Sequence, residues 1–148
     1  MFETSSPPLT QRPPAERRLR WALRILGGLD FLAVAICFLP LSAIERLHQF
    51  AGLGPFPAAP IAGYLARNVS AMYAAHGLTL CHIAGDIPRY RQLIQFLAIV
   101  AMAHGGILIG IDMASGLPVW WILTEGPGFA TLGGMIWALE RGCRGTER

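Results

Sequence analysis

The stretch LIQFLAIVAMAHGGILIGIDM, Leu93 to Met113, decides the fold: one glutamine, one histidine and one aspartate interrupt an otherwise apolar or small-residue run. About 20 such residues, wound as a helix, cross a hydrocarbon core roughly 30 Å thick, so the run reads as a transmembrane helix. Comparable windows flank it, and the predicted spans lie near 21–43, 62–83, 93–113 and 117–139. Composition agrees: of 148 residues, 53% are hydrophobic and only 14% charged, against about 25% charged in soluble domains. The expected architecture is an all-α membrane protein, a four-transmembrane-helix antiparallel bundle.

Each span carries an ionisable residue well inside it: Asp30 in the first, Arg67 and His76 in the second, His104 in the third, Glu125 in the fourth. A charge at bilayer depth costs roughly 2.5–3.5 kcal/mol on insertion scales, so these residues are expected to gather in a protein interior. The pattern predicts a buried polar core.

All twelve basic residues are arginines. Arg12, Arg17, Arg18, Arg20 and Arg24 precede or open the first span, Arg89 and Arg91 lie between the second and third, and Arg141, Arg144 and Arg148 follow the fourth. Only Arg46 and Arg67 fall on the other side, which the positive-inside rule reads as N-in/C-in, both termini cytoplasmic, in a bacterial inner membrane. The net charge of +3 then reports topology and gives no nucleic-acid footprint. Residues 1–16, rich in proline and polar groups, are expected to be a disordered cytoplasmic N-terminus, 17–140 the transmembrane domain, and 141–148 a cytoplasmic tail. Ala33-Val34-Ala35 resembles a signal cleavage site, but the apolar run exceeds the ~7–15 residues of a signal core, so the span is read as retained.

The connection Ile44 to Ile61 mixes Phe50, Leu53 and Phe56 with Gly and Pro and is expected to lie on the membrane surface. Short turns after the second and third spans predict that spans two, three and four are antiparallel neighbours. Gly106 and Gly110 form a small-xxx-small pair expected to make the closely packed face of the third span, opposite His104 and Asp112, and Ala71, Ala75, Gly133 and Gly134 are expected to offer similar flat surface on the second and fourth spans. Glu125-Gly126-Pro127-Gly128 predicts a fourth helix kinked or broken there, because proline removes a backbone donor and clashes with the carbonyl of Leu123.

At about 1.5 Å per residue, Arg67 falls about 7 Å below the outer boundary, Glu125 about 12 Å below it and Asp112 almost at it. An Arg67 to Glu125 ion pair, joined by Asp112, is therefore expected. Arg67, Ser70, Tyr73 and Gly77 recur at spacings of three and four and form one helical stripe, with His76 at its edge. Asp30, His76 and His104 lie deeper and admit two chemistries: a ladder of titratable groups for proton movement, or two axial ligands, His76 and His104, for haem b. Satisfied core histidines are the bland alternative. His82 and Asp86 read as a local cap or surface pair, and Trp21, Trp120, Trp121 and Trp137 as interface anchors. Cys37, Cys81 and Cys143 form no C-x-x-C, and no cluster has metal-ligand spacing, so neither a dithiol centre nor a metal site is expected.

The run Arg67-x2-Ser70-x2-Tyr73-x2-His76-Gly77, the basic turn after it, Asp112-x3-Gly116-x-Pro118 and the last span with its Trp and Glu resemble the small four-helix DoxX-like and BphX-like membrane proteins over residues 62–140. That resemblance implies a compact inner-membrane bundle, in some cases an accessory to oxidoreductases, and carries over no catalytic residue. His76, His82 and Asp86 along one helix are similar to the haem-anchoring subunits of succinate dehydrogenases, although Cys81 stands where those carry arginine and this chain has four spans.

Three function classes follow. The favoured one is an accessory subunit of a membrane complex, or a bundle binding a lipid or quinone-like ligand, self-associating or partnered with other membrane subunits and without a resident cofactor. The others are a haem-bearing electron-transfer subunit through His76 and His104, and a small proton-coupled transporter or membrane enzyme using Arg67 and Glu125. The absence of a nucleophile constellation or phosphate loop in the sequence favours the first, a non-enzyme.

Overall fold

A computed structural model describes residues 13–145, all of whose regular elements are helical. They are α1 (Pro14–Leu32), α2 (Val34–Phe38), α3 (Leu41–Phe50), α4 (Pro60–Ile83), α5 (Ile87–Ala114) and α6 (Val119–Gly145). Proline occupies the first turn of α1, α4 and α5, where its missing N–H would be unpaired in any case. Asp86 caps α5 by accepting the Arg89 N–H at 3.3 Å.

Two helical stretches are long and apolar enough to cross a membrane: Pro14–Phe38, α1 and α2 together, and α5. At 24 and 27 residues, α4 and α6 have spanning length, but Arg67, Asn68, His76 and Glu125 make them less apolar.

Several boundaries differ from expectation for local reasons. Helix α1 starts at Pro14, inside the segment expected to be disordered, because Glu16 sits in its first turn and pairs with Arg20 one turn on; residues 1–12 lie outside the described residues. The first predicted span runs through Pro40, yet Leu39 turns to extended backbone before that proline and α3 sets off anew. Helix α5 begins six residues before the predicted 93, and α6 continues to Gly145, into the expected tail.

Of the kink or break expected in the fourth span, the break is absent. Helix α6 runs unbroken through Pro127, backed along its length by α5. Its neighbour Gly126 explains the fit: a Cβ there would stand 2.7 Å from the Gly105 carbonyl oxygen, so the two backbones touch where proline weakens the helix's own ladder. Thr131 Oγ1 donates to the Pro127 carbonyl at 2.7 Å.

Packing follows glycine: Gly133 makes one of the close contacts expected of it, whereas the Gly106 and Gly110 pair makes none. Gly106 and Gly110 face open space, whereas Gly105, Gly126 and Gly133 are pressed against the opposing helix; a Cβ on Gly133 would lie 2.6 Å from the Ala98 carbonyl. Gly27 and Gly77 make the equivalent crossing of α1 and α4, where a Cβ on Gly27 would lie 2.7 Å from the Gly77 carbonyl. The bundle is thus two tight pairs, α1 with α4 and α5 with α6, joined mainly where α1 meets α6, while α2 packs on α4. Spans two and three are not close neighbours: α4 and α5 barely touch despite the three-residue turn between them. Leu19, Leu23, Ile83, Ile87, Ile94 and Ile136 form the core, at the end of the bundle nearest both chain termini.

Replacing Gly105 by leucine should cost about 3 kcal/mol or more through forced separation of α5 and α6, whereas Gly106→Ala should be neutral or stabilising by up to ~1 kcal/mol. Thermal unfolding in detergent distinguishes them; equal losses at both positions would contradict this seam.

Candidate functional site

The expected Arg67 to Glu125 pair does not form. Arg67 Nη2 donates to the Leu39 carbonyl at 2.9 Å, and Nη1 reaches the Gly63 carbonyl at 3.5 Å. The guanidinium closes the open end of α2, where the last carbonyls have no helical partner. Glu125 instead accepts from the indole N–H of Trp121, one turn earlier on α6. Asp112 is 3% exposed, on the α5 face that carries Gly105, and its Oδ2 has no hydrogen-bond partner among the described residues. The three groups were expected at similar depth, but α4 packs against α1 and α2 while α6 packs against α5. Depth bookkeeping could not supply that rotation about the helix axes.

The deeper group is partly assembled. His76 on α4 places Nδ1 2.7 Å from Asp30 Oδ2 on α1, with the ring N–H donating to the carboxylate. The crossing of Gly27 and Gly77 brings α1 and α4 close enough for this contact. A carboxylate on Nδ1 fixes the neutral tautomer and leaves Nε2 as an acceptor. Asp30, His76 and Tyr73 supply the ionisable side chains around a cavity of about 340 Å³ between α1, α4, α5 and α6, whose other walls include Leu26, Leu80, Leu97, Phe129 and Ile136. Neither Nε2 nor the Tyr73 hydroxyl has a partner among the described residues. The His76 side chain is 44% exposed, so the cavity has an open side. Ser70, from the same predicted stripe, returns its hydroxyl to the Ala66 carbonyl at 2.8 Å and lies outside the cavity wall.

His104 stands apart. Its ring meets Phe129 edge-on at 5.2 Å, and Phe129 in turn lies 6.4 Å from the Tyr73 ring. His104 does not line the cavity beside which His76 stands.

The most enclosed polar cluster lies elsewhere and was not anticipated. Glu140 on α6 is 0% exposed; it accepts from the Gln95 amide and pairs with Arg144 Nε at 3.2 Å and Arg91 Nε at 3.4 Å. Arg20, 4% exposed, donates to the Gly85 carbonyl at 2.8 Å and to Glu16 at 3.0 Å, tying α1 to the turn between α4 and α5. Glu140 fell one residue past the predicted fourth span. Its spacing of seven from Gly133, and of fourteen from Gly126, was the available signal. His82 bonds the Tyr90 hydroxyl at 3.0 Å, a local contact across the turn.

No protein-family model matches the chain, and neither a curated protein nor a solved structure matches it at a significant level.

Because Arg67 and Glu125 have separate partners, the stability losses of Arg67→Leu and Glu125→Leu should add to within ~0.5 kcal/mol in the double variant. A coupling above about 1 kcal/mol in detergent unfolding would restore the direct pair.

Proposed function

We propose that the chain is a four-span membrane bundle with both termini cytoplasmic, and that it binds a small apolar ligand bearing a carbonyl or hydroxyl head, quinone-like or lipid-like, in the cavity beside Asp30, Tyr73 and His76. The observation that carries this reading is the wall chemistry of that cavity: an apolar chamber with an oriented imidazole and an unpartnered phenol. Ligand pockets of ~300–1,000 Å³ are typically apolar with a few convergent polar groups.

The membrane placement is supported by how the polarity is distributed. Arg20, Asp112 and Glu140 are buried, while Ile25, Leu29, Val69, Ile107, Ile111 and Leu123 are exposed. Exposed apolar surface on this scale suits a hydrocarbon surrounding. Of the polar residues that reduce the apolarity of α4 and α6, Arg67 is engaged by Leu39, His76 by Asp30 and Glu125 by Trp121, while Asn68 is partly exposed. The start of α1 at Pro14, the end of α6 at Gly145 and the α4–α5 turn sit at one end of the bundle, where Arg17, Arg18, Arg20, Arg89, Arg91, Arg141 and Arg144 are found.

Chemically, His76 Nε2, opposite the nitrogen that donates to Asp30, accepts from a ligand hydroxyl. Tyr73 supplies a donor. The sparse contact between α4 and α5 gives an apolar molecule a lateral route from the lipid phase, with no passage through water.

A short-chain quinone should bind the detergent-solubilised protein, with affinity falling about tenfold for His76→Phe and for Tyr73→Phe, each removing roughly one hydrogen bond. Leu97→Trp, which fills the chamber, should abolish binding. Undiminished binding to that variant, measured by isothermal titration, would refute the cavity as the site.

A further inference from the structure

A second concavity lies on the outer surface between α1 and α6, sharing Leu26 and Leu132 with the wall of the central chamber. Its α1 wall is a single helical stripe, Pro14, Arg17, Arg18, Trp21, Ala22 and Ile25, with Leu26 beside it, and its α6 wall is Leu132 and Met135; together they border an open groove of about 730 Å³. The stripe follows from spacing alone, since steps of three and four residues keep side chains on one helix face. Arg20, the one arginine of this turn that is buried, points to the other side and is engaged by Gly85 and Glu16.

The polarity runs in one direction along the groove. Arg17 and Arg18 stand at its terminal end, both exposed and both without a side-chain partner among the described residues. Trp21 follows one turn deeper. Ile25, Leu132 and Met135 then continue as bare hydrocarbon. From Arg17 to Ile25 the rise is about 12 Å. Two guanidiniums, an indole and an apolar trough, in that order, match the phosphate, the interfacial glycerol region and the upper acyl chain of a phospholipid. Basic pockets between helices on the cytoplasmic side of a membrane favour anionic headgroups in this way.

We infer that this groove is a binding site for an anionic phospholipid, its phosphate held by Arg17 and Arg18 and one acyl chain laid along Ile25, Leu132 and Met135. The inference rests on the membrane placement proposed above, and does not depend on the central cavity or its ligand.

The test uses the full chain reconstituted in vesicles of equal phosphatidylglycerol and phosphatidylcholine, followed by gentle detergent release and native mass spectrometry. Lipid adducts on the unaltered protein should favour phosphatidylglycerol roughly ten- to thirtyfold, the combined effect of two arginines near a phosphate. The double variant Arg17→Gln, Arg18→Gln should bring the two lipids close to parity with unchanged circular dichroism. Ile25→Trp, which obstructs the trough and keeps both charges, should reduce adducts of both lipids. Equal retention of the two lipids by the unaltered protein, or a preference surviving in the double variant, would overturn the assignment. An Ile25→Trp variant retaining the full anionic preference and adduct level would overturn the groove in favour of unstructured surface attraction. A carbonate wash of the same vesicles separates the two failures: release of the protein refutes the membrane placement, whereas firm retention without lipid preference refutes the groove alone.

Discussion

One fully enclosed carboxylate sets the register on which the rest of the bundle depends. Glu140 cannot stay ionised in an interior without partners, and Arg91 and Gln95 can reach it from α5 only when the two helices are aligned at one level. With that level fixed, steps of seven residues bring Gly133 opposite Ala98 and Gly126 opposite Gly105. A seven-residue seam is the geometry of left-handed helix pairing. It ends at Asp112, whose burial thereby becomes a consequence of the register. The charge specifies the alignment, and the glycines turn it into contact between backbones.

Helicity and approximate helix positions were legible because apolar run length and proline placement act locally. Rotation about each axis was not. Gly105 and Gly106 are adjacent and chemically identical, and only the opposing surface of α6 decides that the first is packed and the second open. The same limit applied to Arg67, Glu125 and Asp112, which were expected at similar depth yet face different neighbours. Pro40 was a readable breaker that a hydropathy window averaged away. Proline at position 127 indicates a kink or a break, and helix α6 avoids the break because α5 is pressed along the same turn. Of the candidate residues, Asp30, Tyr73 and His76 meet at one cavity, and their convergence depends on the crossing of Gly27 with Gly77, a close approach that neither helix reveals alone.

The ionisable residues divide by role. Arg20, Arg67, Glu125 and Glu140 are held by carbonyls, an indole, an amide or neighbouring charges, and in Arg20, Arg67 and Glu140 those bonds join one element to another. Asp30 and His76 form a pair that still leaves one ring nitrogen uncommitted beside an apolar space. A bundle of this size thus separates its fastening chemistry, concentrated near the chain termini and the outer ends of the helices, from a small site at mid-depth.

The weak contact between α4 and α5 has a mechanical consequence. Each glycine seam locks two helices into a plank, and the planks meet chiefly along α1 and α6. A small rocking about that line would widen or narrow the central chamber while leaving Gly27 against Gly77 and Gly105 against Gly126. The Arg20 tether to Gly85 lies at the base of the opening edge, where it limits travel like a stay on a casement window. The chamber thus lies between two glycine-seamed helix pairs, so its width depends on the angle between those pairs as well as on the rotamers of the residues that line it.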